Sequence, residues 1–224
     1  MTDSLSTPRA ARFAAAMNRL PLVAILRGIR PDEAAAIGRV LEQAGFGLVE
    51  VPLNSPDPFT SIATLRRVLD PATLVGAGTV QRVEEVERLR ELGADLVVMP
   101  HADTAVVRAA KAAGLVCMPG IATPTEAFAA IDAGADALKL FPAELVTPAV
   151  VKAMRAVLPP GLALLPVGGI TPASLRAWRS AGASGAGLGS ALYTPGSSAD
   201  AVALRAAEFV RAWHDAAGLA PHAT

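Results

Sequence analysis

Short apolar runs alternate with longer amphipathic stretches along most of the chain. The runs are rich in Val, Leu and Ile, a pattern typical of parallel strands that are buried on both faces and joined by crossover helices. They predict eight strands, at Leu22–Leu26, Leu48–Leu53, Thr73–Ala77, Leu96–Met99, Leu115–Met118, Ala137–Phe141, Ala163–Val167 and Gly185–Leu188. A helix is predicted after each strand, over Pro31–Ala44, Pro58–Leu69, Arg82–Leu92, Thr104–Ala113, Pro124–Ala133, Pro148–Val157, Pro172–Ala181 and Ala199–Ala217.

Proline and glycine residues at the ends of these stretches support the same helices and strands. Proline stands at or near the first turn of several predicted helices, where its missing N–H group leaves no hydrogen bond unmade. Several helices end in an Ala-Gly or Leu-Gly step, which predicts a left-handed C-cap before the next strand. Eight βα units without a linker or low-complexity break favour a (β/α)8 TIM barrel. The alternative is a doubly wound open sheet, which would normally carry one glycine-rich turn after its first strand, whereas here the glycine-rich turns come late.

The predicted barrel leaves a short segment at each end. Residues 1–20 are interpreted as an N-terminal helical extension, a lead-in helix with Phe13, Met17 and Leu20 on one face. The barrel, as the catalytic domain, is expected over residues 21–217, and residues 218–224 form a C-terminal tail.

Composition narrows the class of protein. Hydrophobic residues make up 52% of the 224 residues, which is ample for a large core, and 20 basic residues balance 20 acidic ones. No basic stripe indicates nucleic-acid or anionic-membrane binding, so we expect neither partner. No run reaches the roughly 20 apolar residues of a membrane span, and the N-terminus lacks a signal-peptide pattern. The single cysteine, Cys117, is expected to be a buried core thiol in a reducing compartment, so a cytoplasmic location is predicted.

Two charged residues interrupt apolar strands. Lys111 and Lys152 fall on predicted helices and should be solvated, but Lys139 lies within Ala-Leu-Lys-Leu-Phe. Desolvation there lowers the pKa of the amine towards the neutral, nucleophilic form that imine formation with a ketone requires. Glu50 lies in Leu-Val-Glu-Val-Pro near the end of the second strand. The pair is either a structural salt bridge or a nucleophile with its proton shuttle. Asp95 and Asp136 precede their strands, where a structural role is expected.

The ends of other strands carry candidate ligand-binding groups. Arg27 closes the first strand and is suited to a carboxylate or a phosphate, although a solvated loop arginine would look the same. Thr79 follows Gly76-Ala77-Gly78 and could donate to an oxyanion. Glycine-rich turns follow the last two strands, at Gly168-Gly169 and at Gly187-Leu188-Gly189-Ser190. Their backbone N–H groups beside helix N-termini predict a phosphate cradle, because such barrels usually bind phosphate there.

The positions of the histidines do not indicate a metal site. Of the three histidines only His101 is near a strand end, and no cluster has metal-ligand spacing. We therefore expect no metal and no other cofactor. This counts against the metal-dependent sugar-phosphate epimerases that share the architecture.

Five motifs together resemble the class I aldolases for 2-keto-3-deoxy-6-phosphogluconate and -galactonate, over about Leu20 to Trp213. They are Ala24-Ile25-Leu26-Arg27-Gly28-Ile29, Val49-Glu50-Val51-Pro52-Leu53-Asn54, Gly76-Ala77-Gly78-Thr79-Val80, Leu138-Lys139-Leu140-Phe141-Pro142 and Val167-Gly168-Gly169. The resemblance implies Lys139 as the Schiff-base lysine and Glu50 as the general acid/base. It also implies Thr79 near the pyruvate carboxylate, and Ser190 with the late glycine turns at the phosphate. A homotrimer is implied as well.

Two positions depart from the gluconate pattern. That pattern usually carries an arginine where this chain has Asn54, and a threonine where it has Val167. With Arg27, both differences resemble the galactonate branch, in which a phosphorylated keto-deoxy sugar acid is cleaved to pyruvate and glyceraldehyde 3-phosphate. Exchanging a hydroxyl-bearing threonine for valine would alter the preference between epimers. A gluconate aldolase, a phosphate-binding barrel isomerase or epimerase, and a non-catalytic sugar-phosphate-binding barrel remain as alternatives.

Overall fold

Parallel strands alternate with helices in the computed structural model, which describes residues 8–217. The strands are β1 Leu22–Ile25, β2 Leu48–Pro52, β3 Leu74–Gly78, β4 Leu96–Val98, β5 Val116–Met118, β6 Gly120–Ile121, β7 Ala137–Leu140, β8 Ala163–Pro166 and β9 Ala186–Leu188. The helices are α1 Pro8–Arg19, α2 Pro31–Gln43, α3 Pro58–Val68, α4 Val83–Glu91, α5 Thr104–Ala112, α6 Pro124–Asp132, α7 Pro148–Arg155, α8 Leu175–Ser180 and α9 Ala199–Ala217, with a 3-10 turn at Pro172–Ser174 before α8.

The strand ladders form two parallel sheets. One has six strands in the order β5-β4-β3-β2-β1-β9 and the other has three in the order β6-β7-β8. This consecutive order has no central reversal, unlike that of a doubly wound sheet. The six-stranded sheet curls into a half-barrel, and one isolated bridge pairs Val167 with Gly187. The curled parallel α/β architecture is confirmed, whereas the predicted eight-stranded barrel is not established by these ladders.

The fifth predicted strand, Leu115–Met118, corresponds to β5, and a further short strand that was not predicted, β6, follows it after Pro119. β5 pairs with β4, and β6 pairs with β7, so the chain changes sheets at Pro119. Proline has no N–H group and cannot donate to a ladder, which accounts for a break at this residue. The Pro119 carbonyl still accepts a hydrogen bond from the Lys139 N–H at 2.9 Å. The break thus brings the chain beside the strand that carries Lys139.

Alternation along each strand separates an inner from an outer set of side chains. On β2, Val49 and Val51 join the large core between sheet and helices, whereas Leu48 joins a smaller inner cluster. Glu50 shares the Leu48 face, because residues two apart on a strand point to the same side. By the same rule Lys139 lies on the inner face with Ala137. Both charged residues therefore point into the curl of the sheet.

Helix α1 lies under the amino ends of the strands. Its Phe13 packs with the inner cluster. Arg9 Nε lies 3.2 Å from a carboxylate oxygen of Asp95, which Arg12 also contacts, and Arg66 approaches the other oxygen at 3.0 Å. The lead-in helix is confirmed from Pro8 onwards. The first seven residues, the predicted tail 218–224 and His222 within it lie outside the described residues. No helix of the described part is long and apolar enough to cross a membrane.

Candidate active site

Lys139 is held on the inner face of β7 with only 6% of its surface exposed. Burial lowers the pKa of its amine, the positive charge of Arg27 lowers it further, and the negative charge of Glu50 opposes both. The Nζ atom lies 4.4 Å from the centroid of the Phe141 ring. A lysine in this setting is biased towards the neutral amine, which can attack a carbonyl carbon.

Glu50 is the buried acid of the same interior, with 2% of its surface exposed. Burial raises the pKa of its carboxyl group to about 7, although the charges of Lys139 and Arg27 pull in the other direction. Its Oε2 atom is buried without a hydrogen-bond partner. Among residues 8–217, no ion pair joins Glu50 to Lys139. A structural salt bridge therefore does not describe the pair.

Gly78 makes room for that carboxyl group. A Cβ atom at this position would collide with both carboxylate oxygens of Glu50. The next residue, Thr79, has a φ of 57°. A β-branched residue rarely adopts this left-handed conformation, and such strain concentrates at functional sites. The end of β3 is thus shaped around Glu50.

Lys139 and Glu50 both line one small interior cavity. Its remaining walls are side chains or backbone of apolar residues, namely Val23, Ile25, Val98, Met118, Leu165, Val167 and Gly187. Apolar walls strengthen electrostatic effects between the two groups and exclude bulk water. A ketone that enters would meet an amine and a carboxyl group that can exchange protons near neutral pH.

A larger cleft of about 350 Å³ adjoins this cavity, and Ile25 and Val167 line both. The cleft collects most of the predicted ligand-binding residues, which are Arg27, Val167, Gly168, Gly169, Gly189 and Ser190. Thr79 lines neither cavity. The expected oxyanion donor is thus set apart from the other predicted ligand-binding residues, which line the larger cleft, here called the mouth of the site.

The glycine turn after β8 needs backbone conformations that other residues rarely adopt. Gly168 has a φ of 119° and Gly169 a φ of 60°. Within the described chain, the N–H groups of Gly169 and Ser190 donate to no protein acceptor. The first turn leads directly into a short helix, as predicted. The turn at Gly189 does not, because α9 begins only at Ala199.

Two residues at the mouth were not predicted from the sequence to belong to the site. Phe141 was expected only as the end of a strand, and Glu144 was not singled out, yet both line the larger cleft. The Glu144 carboxylate lies against the turn, where a Cβ atom on Gly168 would collide with it. Both follow the carboxyl end of β7, and that position was the available signal.

Cys117 and the two remaining lysines lie in different environments. Cys117 is fully buried, and burial raises the pKa of its thiol to about 12, as expected of a core cysteine. Lys152 is exposed as predicted. The prediction for Lys111 was wrong, because its Nζ lies 2.6 Å from a carboxylate oxygen of Asp136. Asp95 and Asp136 have the structural roles expected. Residues 8–217 contain no cluster of His, Cys, Asp and Glu that could hold a metal.

The chain resembles known proteins in sequence and in fold. The sequence model of the family "Aldolase: KDPG and KHG aldolase" matches residues 13–204. The chain is 48% identical to the 2-dehydro-3-deoxy-6-phosphogalactonate aldolase of Escherichia coli K12, over 88% of this chain and 97% of that protein. It is 47% identical to a probable 2-dehydro-3-deoxy-6-phosphogalactonate aldolase of Rhizobium meliloti, over 83% of this chain and 88% of the relative.

A solved structure described as native KDPGal superposes with a TM-score of 0.88 at 48% identity, covering 89% of this chain and 97% of that chain. Both the sequence matches and this superposition include the strands that carry Glu50 and Lys139. The chain belongs to the KDPG and KHG aldolase family and is a lyase.

Proposed function

We propose that this protein is a Schiff-base aldolase that cleaves 2-dehydro-3-deoxy-6-phosphogalactonate to pyruvate and glyceraldehyde 3-phosphate. The observation that carries the proposal is a buried lysine with a lowered pKa, facing a buried carboxyl group with a raised pKa across one cavity. The two relatives named for this activity support the choice of substrate. The valine at position 167 supports the galactonate epimer, because it offers no hydrogen bond to a substrate hydroxyl.

The chemistry follows from the two groups. The neutral amine of Lys139 attacks the C2 carbonyl, and loss of water gives a protonated imine. Glu50, directly or through a water molecule, takes the proton of the C4 hydroxyl. The C3–C4 bond then breaks, its electron pair moves into the imine as an enamine, and the aldehyde phosphate departs. Glu50 returns the proton to C3, and hydrolysis of the pyruvate imine frees Lys139. The cycle uses no metal and no organic cofactor.

The remaining site residues bind the substrate in this proposal. The backbone N–H groups at Gly168, Gly169, Gly189 and Ser190 hold the phosphate in the larger cleft, because oriented backbone donors form anion sites. Arg27 adds the positive charge of a side chain at the same mouth. The family resemblance supports a contact between Thr79 and the pyruvate carboxylate, although Thr79 lines neither cavity.

The proposal extends to the molecule as a whole. The two ladders and the bridge between Val167 and Gly187 support a closed (β/α)8 barrel with α1 beneath it. The family resemblance supports a homotrimer. The balanced charge and the single buried cysteine support a cytoplasmic enzyme without a nucleic-acid or membrane partner.

Borohydride trapping tests the nucleophile. With pyruvate and borohydride, the parent protein should gain one reduced pyruvate adduct by mass spectrometry, on the peptide that contains Lys139. Lys139→Ala should lose both the adduct and cleavage, whereas Lys152→Ala, which removes an exposed lysine, should keep both. An adduct on Lys139→Ala would move the nucleophile elsewhere, and a parent that never forms one would favour an isomerase or a binding protein.

Pyruvate release tests the substrate. The parent is given the keto-deoxy phosphates of the galactonate and the gluconate series, which differ at C4, and kcat/KM is compared. We expect the galactonate epimer to be preferred. A clear preference for the gluconate epimer would overturn the choice of substrate while leaving the imine chemistry intact.

A further inference from the structure

The Arg27 side chain lies in the larger cleft, next to the cavity that holds Lys139 and Glu50. Arg27 lines the larger cleft, and its charge affects the protonation of both Glu50 and Lys139 in the smaller cavity. The titratable side chains that line the two cavities are Arg27, Glu50, Lys139 and Glu144. Arg27 is therefore the one cation besides Lys139 that these walls provide.

Nothing in the described chain neutralises this cation. Arg27 forms no ion pair among residues 8–217. Its Nη1 atom instead donates to the Asn54 side-chain oxygen at 2.9 Å. Asn54 is exposed and comes two residues after the end of β2. An amide oxygen holds a guanidinium in place without cancelling its charge, whereas a carboxylate would do both.

Hydrogen bonds hold the backbone in place on both sides of Arg27. The Leu26 N–H donates to the Glu50 carbonyl at 2.9 Å, and the Gly28 N–H donates to the Ser55 hydroxyl, also at 2.9 Å. These bonds fix the ends of β1 and β2 side by side. The long Arg27 side chain is exposed, and these backbone bonds leave several of its torsion angles free to rotate. The Asn54 amide supplies a restraint at the guanidinium end.

We propose that Asn54 is a positioning residue that holds the uncompensated Arg27 guanidinium in the larger cleft, beside the cavity of Lys139 and Glu50. Its effect on catalysis is exerted through Arg27, which in turn acts on Lys139 and Glu50. This inference rests on the proposed aldolase function, because it assigns a role in preparing the same lysine and carboxyl group.

The test follows exchange of the pyruvate methyl protons with deuterium oxide by NMR, as a function of pH. Exchange needs the Lys139 imine and proton transfer at C3, but it needs no phosphate. Because the charge of Arg27 lowers the pKa of both groups, Arg27→Met should move the profile to higher pH, by about 0.5–1 unit. Asn54→Ala should move it in the same direction by a smaller amount, since a freed guanidinium spends time in solvent.

Two double variants separate positioning from a general structural role. In the Arg27→Met background, adding Asn54→Ala should cause no further shift, because the partner is already gone. Arg27→Met combined with Asn54→Arg should move the profile back towards that of the parent. Residue 54 already reaches the space that the guanidinium occupies, so an arginine there can supply the missing charge.

The outcomes are distinguishable. A parent that shows no pyruvate-dependent exchange contradicts the proposed aldolase chemistry itself. A parent that exchanges, with an Asn54→Ala profile that coincides with it, overturns the role of Asn54 and leaves the aldolase proposal standing. An Asn54→Ala shift of equal size in the Arg27→Met background also overturns it, because the effect would then not pass through Arg27.

Discussion

The burial of Glu50 is unfavourable for the stability of the fold, and a role of its carboxyl group in proton transfer explains why it is there. Its carboxyl group is buried, one of its oxygens lacks a partner, and its pKa is raised to about 7. A fold selected for stability alone would place a neutral side chain there, as in the rest of the inner cluster. Burying this carboxyl group lowers the stability of the fold. The same burial gives a group that gains and loses a proton near neutral pH.

We therefore expect that replacing Glu50 lowers activity but makes the fold less sensitive to a rise in pH. The carboxyl pKa is higher in the folded chain than its usual 4.5, so its contribution to stability is complete below pH 4.5 and is lost as the pH rises through about 7. Between pH 5 and 8 the parent should lose roughly 1–3 kcal/mol of unfolding free energy that Glu50→Gln does not lose. The same variant should form the imine but turn over about 10²–10⁴-fold more slowly.

Urea unfolding at the two pH values measures the difference. Glu144→Gln is the matched control, because Glu144 is an exposed carboxylate at the same mouth and its loss should leave the pH dependence unchanged. Equal pH dependence in the parent and in Glu50→Gln would mean that the buried carboxyl group does not titrate in this range.

Sequence identified some site residues and not others for a physical reason. Lys139 and Glu50 stand out because a charge within an apolar strand is visible in the sequence itself. Glu144 and the bond between Arg27 and Asn54 lie beyond strand ends, where side-chain direction depends on the packing of neighbouring loops. That these residues lie close together follows only from the register of the assembled strands.

At the scale of elements, periodicity predicted the helices and strands of the described chain to within a few residues, except for the two-residue strand β6, which was not predicted. β6 is separated from β5 by Pro119, since proline cannot donate to a ladder. The consequence of this break, a change of sheet, depends on which neighbour each strand can reach. That is a property of the assembled sheet, which a pattern along one strand does not contain.

The glycine turns allow a test of phosphate binding that avoids backbone strain. Replacing Gly169 would strain the fold, because its φ is 60°. Gly189 lies in the same cleft, has no positive φ, and a Cβ atom there would meet nothing within 4 Å. Gly189→Val should therefore fold normally and place its methyl groups in the space for the phosphate. We expect kcat/KM for the phosphorylated substrate to fall by about 10-fold or more.

The ratio of kcat/KM for the phosphorylated and the unphosphorylated keto-deoxygalactonate provides the measurement. It should fall in Gly189→Val, whereas trapping of pyruvate at Lys139 should be unchanged, because pyruvate does not reach the cleft. An unaltered ratio would place the phosphate elsewhere, with Arg27 as the next candidate.

At the scale of the whole molecule, the net charge of zero leaves no general field to attract an anionic substrate. Recognition must then arise from the local arrangement at the mouth, where one guanidinium and several backbone N–H groups meet one carboxylate, that of Glu144. The oligomeric state is also a property of this scale, and neither periodicity nor single-chain packing determines it.

We expect the protein to form a homotrimer. Light scattering coupled to gel filtration should then give about 68 kDa, three times the 22.8 kDa of one chain. Lys139→Ala should have the same mass, because the residue is buried within one protomer. A mass near 22.8 kDa across micromolar concentrations would contradict the trimer.

The position of α1 has a practical consequence for attaching the enzyme to a solid support. This helix lies beneath the amino ends of the strands, opposite the mouth, and its residue Ala15 faces solvent. The native thiol, Cys117, is buried and has a raised pKa, so it resists alkylation. A cysteine introduced as Ala15→Cys would thus give a maleimide-coated bead a single handle, and the immobilised catalyst would present its open end to the flowing solution.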